Sequence, residues 1–427
     1  MKNSRIYDVT RYGAVGDGVS DNTETISKLI DSIEKYGGTL YFPAGEYVTG
    51  TVFLRSNFTI YLDEGATLLG STDHERYPMI EGISGFTRHG HWGLVSALDA
   101  ENIAVVGKGR IDARGYSWWE TVKGDYVRPR TLSFISCKNV LIEGITVVNS
   151  PCWTVHPVCC DGVTVRGVSI INPYDSPNTD GINPESCSDV LIENCYIDVG
   201  DDCVTLKSGT ETDELLRSRP CRNITVRNCR MAHGHGGVVI GSEMSGGVSD
   251  VVVRDCTFGD TERGIRIKTR RGRGGYVKHV SFENITMERI GAAITVNEYY
   301  RHGELTLPHK ITFDTAPQPV NELTPVISDL GIKGIMAENT LGVGVYMYGL
   351  PELPISDITI SDVTLNVVGQ DGGFPAISAY DRKLSNGEGI FLENTERITL
   401  NNVNVRSVGE ELTVINSKEI TINGRKI

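Results

Sequence analysis

The chain has 427 residues, a hydrophobic fraction of 39% that is ample for a core, and 48 glycines in a sequence with few helix-forming runs, so strands and turns are expected to dominate. A formal net charge of -13 argues against a general binder of nucleic acid or anionic membranes, which draws its affinity from a basic surface; an anionic ligand needs a local basic patch. No run of about 18 apolar residues can span a bilayer, and the opening MKNSRIYDV lacks the apolar stretch of a signal peptide, so the chain as written is expected to be soluble and cytoplasmic, or secreted or periplasmic if a leader was trimmed.

In chain order, the first expected element is a helix over residues 21–35, with Asp21 and Glu24 spaced as a capping box and Ile26, Leu29, Ile30 and Ile33 on one face. It is expected to plug one end of the fold, within an N-terminal cap region of about residues 1–50. The preceding GAVGDGVSD lacks the Lys and Ser/Thr of a phosphate cradle and reads as a turn.

From residue 138 onward one phrase recurs nine times: KNVLIEGITV, DGVTVRGVSI, SDVLIENCYI, RNITVRNCRM, SDVVVRDCTF, KHVSFENITM, SDLGIKGIMA, SDITISDVTL and ERITLNNVNV. Its alternation of apolar and polar residues fits a half-buried strand. The first apolar residue of each gives the register marks Val140, Val163, Val190, Ile224, Val251, Val280, Leu330, Ile358 and Ile398, mostly between 22 and 34 residues apart. Short strands repeated at the period of one solenoid coil, with no helix between them, bury their apolar face only against their neighbours. The expected fold is therefore all-β: a single parallel β-helix over residues 1–427, right-handed by the general crossover preference. In this register Cys195, Cys229 and Cys256 occupy a slot held elsewhere by Ile145, Val168, Ile285, Ile335, Val363 and Val403, which predicts an interior row of thiols. The ten cysteines contain no zinc-like CxxC pairs, so neither a metal site nor a cofactor is expected.

The same register applied to the next strand of each coil aligns DGIN, DCVT, GGVV and RGIR, starting at Asp180, Asp202, Gly236 and Arg263. Three of these starts lie 12 residues after their marks, and the first lies 17 after its own. Neighbouring coils are ~4.8 Å apart, which predicts Asp180 one coil from Asp202 and Asp201 stacked with His235. Lys207 and Lys268 share one position two coils apart, and Arg266 projects from the same face as Lys268. Three stacked carboxylates repel one another, so at least one should hold its proton near neutral pH unless cations offset it. A protonated acid beside a carboxylate is what inverting glycoside hydrolysis requires, and the cations have a partner in a carboxylate on the substrate.

NTD at 178–180, GDD at 200–202, GHG at 234–236 and RIK at 266–268 appear in that order. With YGAVGDGVSDNT, RPRTLSF, NSPCWTVHP and VVIGSEMSGG they make the chain resemble, over nearly its whole length, the polygalacturonases of glycoside hydrolase family 28, in a bacterial style. The resemblance implies the pectin-lyase-like β-helix and single-displacement hydrolysis of α-1,4-galacturonosyl linkages with inversion. It makes Asp201 the general acid, Asp180 and Asp202 the pair that activates water, and His235 the support of the acid. Arg266 and Lys268 then bind the galacturonate carboxylate, with Tyr300, in preference to the adjacent Tyr299, beside them; Lys207, placed with Lys268 by the register, is expected to be a further substrate-binding residue. The expected partner is pectic galacturonan, and a cytoplasmic location would favour an exo-acting enzyme. Competing readings are a rhamnogalacturonan or xylogalacturonan hydrolase, a calcium-dependent pectate lyase, and a non-enzymatic carbohydrate-binding β-helix. Trp119, Trp153 and His156 could line a sugar subsite or simply pack. The run KTRRGRGG, with Arg270, Arg271 and Arg273, could extend an anion-binding surface or be a solvated loop.

Overall fold

The computed structural model describes residues 5–81, 90–120, 127–303, 305–375, 379–380, 385 and 387–427; residues 1–4 of the expected cap region lie outside these. The chain divides into two compact units, Met1–Asp201 and Asp202–Ile427, each built mainly of parallel strands. No helix among the described residues is long and apolar enough to cross a membrane.

In the first unit the N-terminal helix spans Thr23–Ile33 and buries Ile26, Leu29, Ile30 and Ile33, the face its periodicity marks out. Each such side chain contributes roughly 1.5–3 kcal/mol on leaving water. The helix starts differently from the expected capping box. Asp21 ends the Asp17–Asp21 strand, and its carboxylate accepts from Thr23 N at 2.9 Å. Asn22 takes the cap position, but its side chain turns away to bond the backbone of Val15 and Val48. Glu24 pairs along the helix with Lys28 at 3.1 Å.

The repeated phrase pairs in the register its marks give. Val140 stands beside Val163 and Val163 beside Val190 in the first unit. In the second unit Ile224, Val251, Val280, Leu330, Ile358 and Ile398 form one row. All nine marks are buried, so each coil covers the apolar face of its neighbour. The polar residue before the mark has a backbone reason to be there. Asn139, Asp189, Asn223, Asp250, Asp329 and Asp357 all have φ between 54° and 58°, a left-handed conformation that Asn and Asp tolerate better than other residues with a side chain. A second such bend divides the phrase at Asn194, Asn228, Asp255 and Asn284, which is why Asn or Asp precedes Cys195, Cys229, Cys256 and Ile285.

Cys195, Cys229 and Cys256 are buried as the register requires, with Cys256 in line with Ile285. A second row, not anticipated, runs through Cys137, Cys160 and Cys187, each three residues before its mark. The Cys137 amide donates to Cys160 Sγ, and the Cys160 amide to Cys187 Sγ, each at 3.4 Å. All ten cysteines are buried and free of disulfides, and burial pushes the Cys160 thiol well above its usual range, which makes these thiols poor nucleophiles. A thiol reagent should therefore leave the native protein unmodified on the timescale at which it labels an exposed cysteine, and should count ten thiols after denaturation; rapid labelling of the native protein would contradict the interior placement.

Candidate active site

In the second unit, a parallel sheet carries the strands Asp202–Leu206, Gly236–Gly241, Arg263–Lys268, Ala292–Asn297, Val343–Tyr348, Glu388–Glu393 and Leu412–Ile415 in that order. Asp202 lies opposite Gly236, and the pairing of Val238 with Ile265 sets Gly236 beside Arg263. The DCVT, GGVV and RGIR alignment is thus the register of the folded sheet. Gly241 stands opposite Lys268, and Leu206 opposite Ile240, so Lys207 and Lys268 share a position with one coil between them.

Asp202 is almost wholly buried and receives two cations. Arg266 Nη1 donates to Oδ1 at 3.0 Å and Lys268 Nζ to Oδ2 at 2.7 Å, both donors being buried themselves. The cations stand two coils away, a span of roughly 10 Å between backbones, and the strand between them must leave room. Gly236 does so: a Cβ there would lie 2.4 Å from Val239 Cγ2, 3.2 Å from Asp202 Oδ1 and 3.5 Å from Arg266 Cδ. Burial alone would raise the Asp202 pKa, but Lys268, Arg266 and His235 together hold it well below the usual carboxylate range. At Asp202, cations offset the repulsion expected from sequence, and the group is an anion at neutral pH. The same contacts show that Arg266 and Lys268 already serve a protein carboxylate.

Around this centre, His235 is partly exposed, its Nε2 3.9 Å from the Glu262 carboxylate. Arg263 is buried, ion-paired with Glu262, and donates to Pro375 O at 2.8 Å; burial and then Arg266 bring its pKa down to about 10. Of the two candidate tyrosines, Tyr300 presents its ring to the cations, 5.6 Å from the Arg266 guanidinium and 5.2 Å from Lys268 Nζ. Tyr299 is buried and stacked on Tyr348 with centroids 4.3 Å apart. Lys207 is bound by Glu243 at 2.8 Å. The arginine run is neither a solvated loop nor an open anion-binding surface: Arg273 pairs with Glu211 at 2.7 Å, Arg271 with Glu352 at 2.5 Å, and Arg270 donates to His302 O. A guanidinium persists inside a protein only with such partners.

Asp180 and Asp201 belong to the first unit. Asp180 is buried; its Oδ2 accepts from Asn183 Nδ2 at 2.9 Å, and its carbonyl accepts from Thr154 N at 2.8 Å. The preceding turn is fixed by Arg128, which donates to Asn178 Oδ1 and to the carbonyls of Pro151 and Pro177 at 2.7–2.8 Å. Thr179 Oγ1 accepts from Gly200 N at 3.2 Å, tying the NTD turn to the turn that carries the partly exposed Asp201. Arg128 and Asn183 were not singled out from sequence, although both lie inside quoted motifs. Of the three residues that could line a subsite or pack, His156 and Trp153 are buried, with His156 Nε2 2.9 Å from Glu185 and the Trp153 ring beneath Arg130 at 4.7 Å, and the half-buried Trp119 donates from Nε1 to Ser150 O at 3.1 Å.

The sequence profile described as glycosyl hydrolases family 28 matches residues 67–316. A probable polygalacturonase of Vitis vinifera is 34% identical over 372 residues, which is 83% of this chain and 73% of that protein. Among solved structures, a hyperthermoactive exopolygalacturonase from Thermotoga maritima has a TM-score of 0.77 at 29% identity, covering 99% of this chain and 93% of that one. A family 28 exopolygalacturonase from Yersinia enterocolitica has a TM-score of 0.81 at 21% identity, over 100% and 79% of the two chains. These likenesses agree with the expected right-handed parallel β-helix.

Glu298 follows the Ala292–Asn297 strand. It is fully buried, its Oε2 accepts from Leu350 N at 2.9 Å, and burial pushes its pKa up to about 8. Below the usual glutamate range both folded and unfolded chains hold this proton. Between that range and the folded pKa of about 8 the unfolded chain releases it while the fold retains it, so Glu298 makes stability fall as pH rises through this window, on the order of a few kcal/mol. Urea midpoints measured across the window should fall less steeply for Glu298→Gln than for the unaltered protein, and parallel curves would contradict the burial of a protonated carboxyl.

Proposed function

The chain belongs to glycosyl hydrolase family 28, and from that premise we propose that it hydrolyses α-1,4-galacturonosyl linkages of polygalacturonate and its oligomers, with inversion and from the chain end. The observation that carries the division of labour is the pair of cations on Asp202. A carboxylate held this firmly as an anion is not a proton donor, so Asp202 acts on the water side with Asp180, and Asp201 supplies the proton to the leaving oxygen, supported by His235. The repeated phrase runs through both units, which supports reading residues 1–427 as one β-helix domain.

An anion this strongly stabilised is also a weak base. A galacturonate carboxylate arriving at Arg266 and Lys268, with Tyr300 beside them, takes a share of both donors from Asp202. The Asp202 pKa then rises and the group becomes a better base when substrate is present. Lys207, neutralised by Glu243, stands at the Lys268 position two coils away.

Exo action is supported by what stands beyond the cations. The row that begins at Arg266 continues through Thr295, Tyr346 and Phe391. Tyr346 and Phe391 do not face solvent; they stack on each other at 4.8 Å within an apolar cluster that includes Tyr299, Tyr348, Phe313 and Ala379. Phe313 in turn stacks on Tyr380 at 4.6 Å. A groove crossing the stacked strands therefore meets an aromatic wall about two strand spacings, or ~10 Å, past Arg266, room for a terminal sugar and not for a continuing chain.

Digestion of defined oligogalacturonides, followed by proton NMR, should show galacturonic acid alone released from the first moments, initially as the β anomer. A ladder of oligomers would contradict exo action, the α anomer would contradict inversion, and a product with a new ring double bond would contradict hydrolysis. Asp201→Asn should lower kcat by about a hundredfold to ten-thousandfold with an unchanged melting temperature; a near-normal rate would remove Asp201 from the acid role.

A further inference from the structure

Arg271 lies three residues past the RIK motif, and its guanidinium bonds partners other than Asp202. It is buried. Its Nε and Nη2 grip both oxygens of Glu352, at 2.5 and 2.8 Å. Its Nη1 donates to Asp314 O at 2.5 Å and reaches the carbonyls of Ile311 and Thr312 at 3.4 Å, while Nη2 reaches Ala316 O at 3.5 Å. The guanidinium stands 5.5 Å from the centre of the Tyr299 ring. One side chain thus joins three pieces: the coil that presents Arg266 and Lys268, the connection at 307–316 that carries Phe313, and the turn after the Val343–Tyr348 strand that carries Glu352.

The carbonyls at 311, 312, 314 and 316 come from a short helix and the turn that follows it. Such a segment has few backbone partners of its own, and a planar fork with several N–H donors can satisfy many of its acceptors at once. Phe313, set between those carbonyls, reaches the aromatic cluster only if the segment is held in place, and Tyr299 beneath the guanidinium is the next member of the same cluster.

We propose that Arg271, clamped by Glu352, is a positioning residue that sets the cleavage pattern: it holds the aromatic wall shut and so confines attack to the chain end. This rests on the exo reading above. The clamp touches no reacting atom, so its loss changes which bonds are accessible, not how a bond is broken. With the segment released, Phe313 and the ring beneath it no longer close the row, and a polymer can lie across the strands past Arg266.

The test uses the full chain on long polygalacturonate and on the trimer. Arg271→Met combined with Glu352→Met removes both buried charges together, so neither is left without its partner. Arg271→Lys, which keeps the charge opposite Glu352 but loses the fork, is made alongside so that a folding failure in the double variant leaves the question decidable. The expected result is release of oligomers from the polymer, with viscosity lost per bond broken rising several-fold, and amides at 311–316 exchanging several-fold faster, while turnover of the trimer persists. A merely structural role would lower stability and all rates together without altering product lengths. If a folded variant still yields monomer alone, the clamp inference is overturned and the exo reading stands. If the unaltered protein itself releases oligomers, it is the exo reading that fails.

Discussion

Everything at the candidate site depends on parallel register. In a stack of parallel coils the residue at a given position stands beside the same position one coil on, so a cluster of side chains is composed by writing the right residue at one slot of successive repeats. Asp202, Gly236 and Arg263 are such a row, with Arg266 and Lys268 leaning back along it. Gly236 matters for what it lacks: a methyl group at that position would crowd Asp202 and Arg266 together with Val239. A slip of one residue in any of the three strands would turn the acid and the cations to opposite faces.

The charges gathered there are organised in two grades. Arg263, Arg270, Arg271 and Arg273 are buried among carboxylates and carbonyls that hold them for good. Arg266 and Lys268 meet Asp202, the carboxylate that the proposed reaction uses, beside the ring of Tyr300. In the proposed reaction only the second grade changes partners when a sugar acid arrives, and the first keeps the surrounding connections rigid while it does so. A chain with a net charge of -13 can in this way recognise a polyanion, because the local field and not the overall charge meets the substrate.

Much of this was legible in the sequence, for a physical reason. A solenoid repeats its environment, so apolar marks, the helix face and the slots of Cys195, Cys229 and Cys256 follow from spacing alone, and so does the alignment of Asp202 with Gly236 and Arg263. The Cys137, Cys160 and Cys187 row was equally periodic and was missed only because no mark was set at that slot. What spacing could not give was partner choice among long side chains: that Arg266 and Lys268 bind Asp202, that Lys207 is bound by Glu243, and that the KTRRGRGG arginines turn inward. The choice of Tyr300 over Tyr299 came from the family resemblance and not from spacing, since adjacent residues on a bend differ in direction and not in pattern. The aromatic wall joins Tyr346 and Phe391 of the repeating strands to Phe313 and Tyr380 of connections outside the repeat, where periodicity has nothing to say.

The claim at the centre is that Arg266 and Lys268 keep Asp202 ionised across the strand of Gly236 until a substrate carboxylate competes for them. A carbon-13 NMR titration of aspartate-labelled protein, with Asp202 assigned by its loss in Asp202→Asn, measures this directly. In the absence of ligand the Asp202 signal should keep the shift of an ionised carboxylate throughout the range in which free aspartate takes up its proton. A signal that titrates in or above that range would contradict the account.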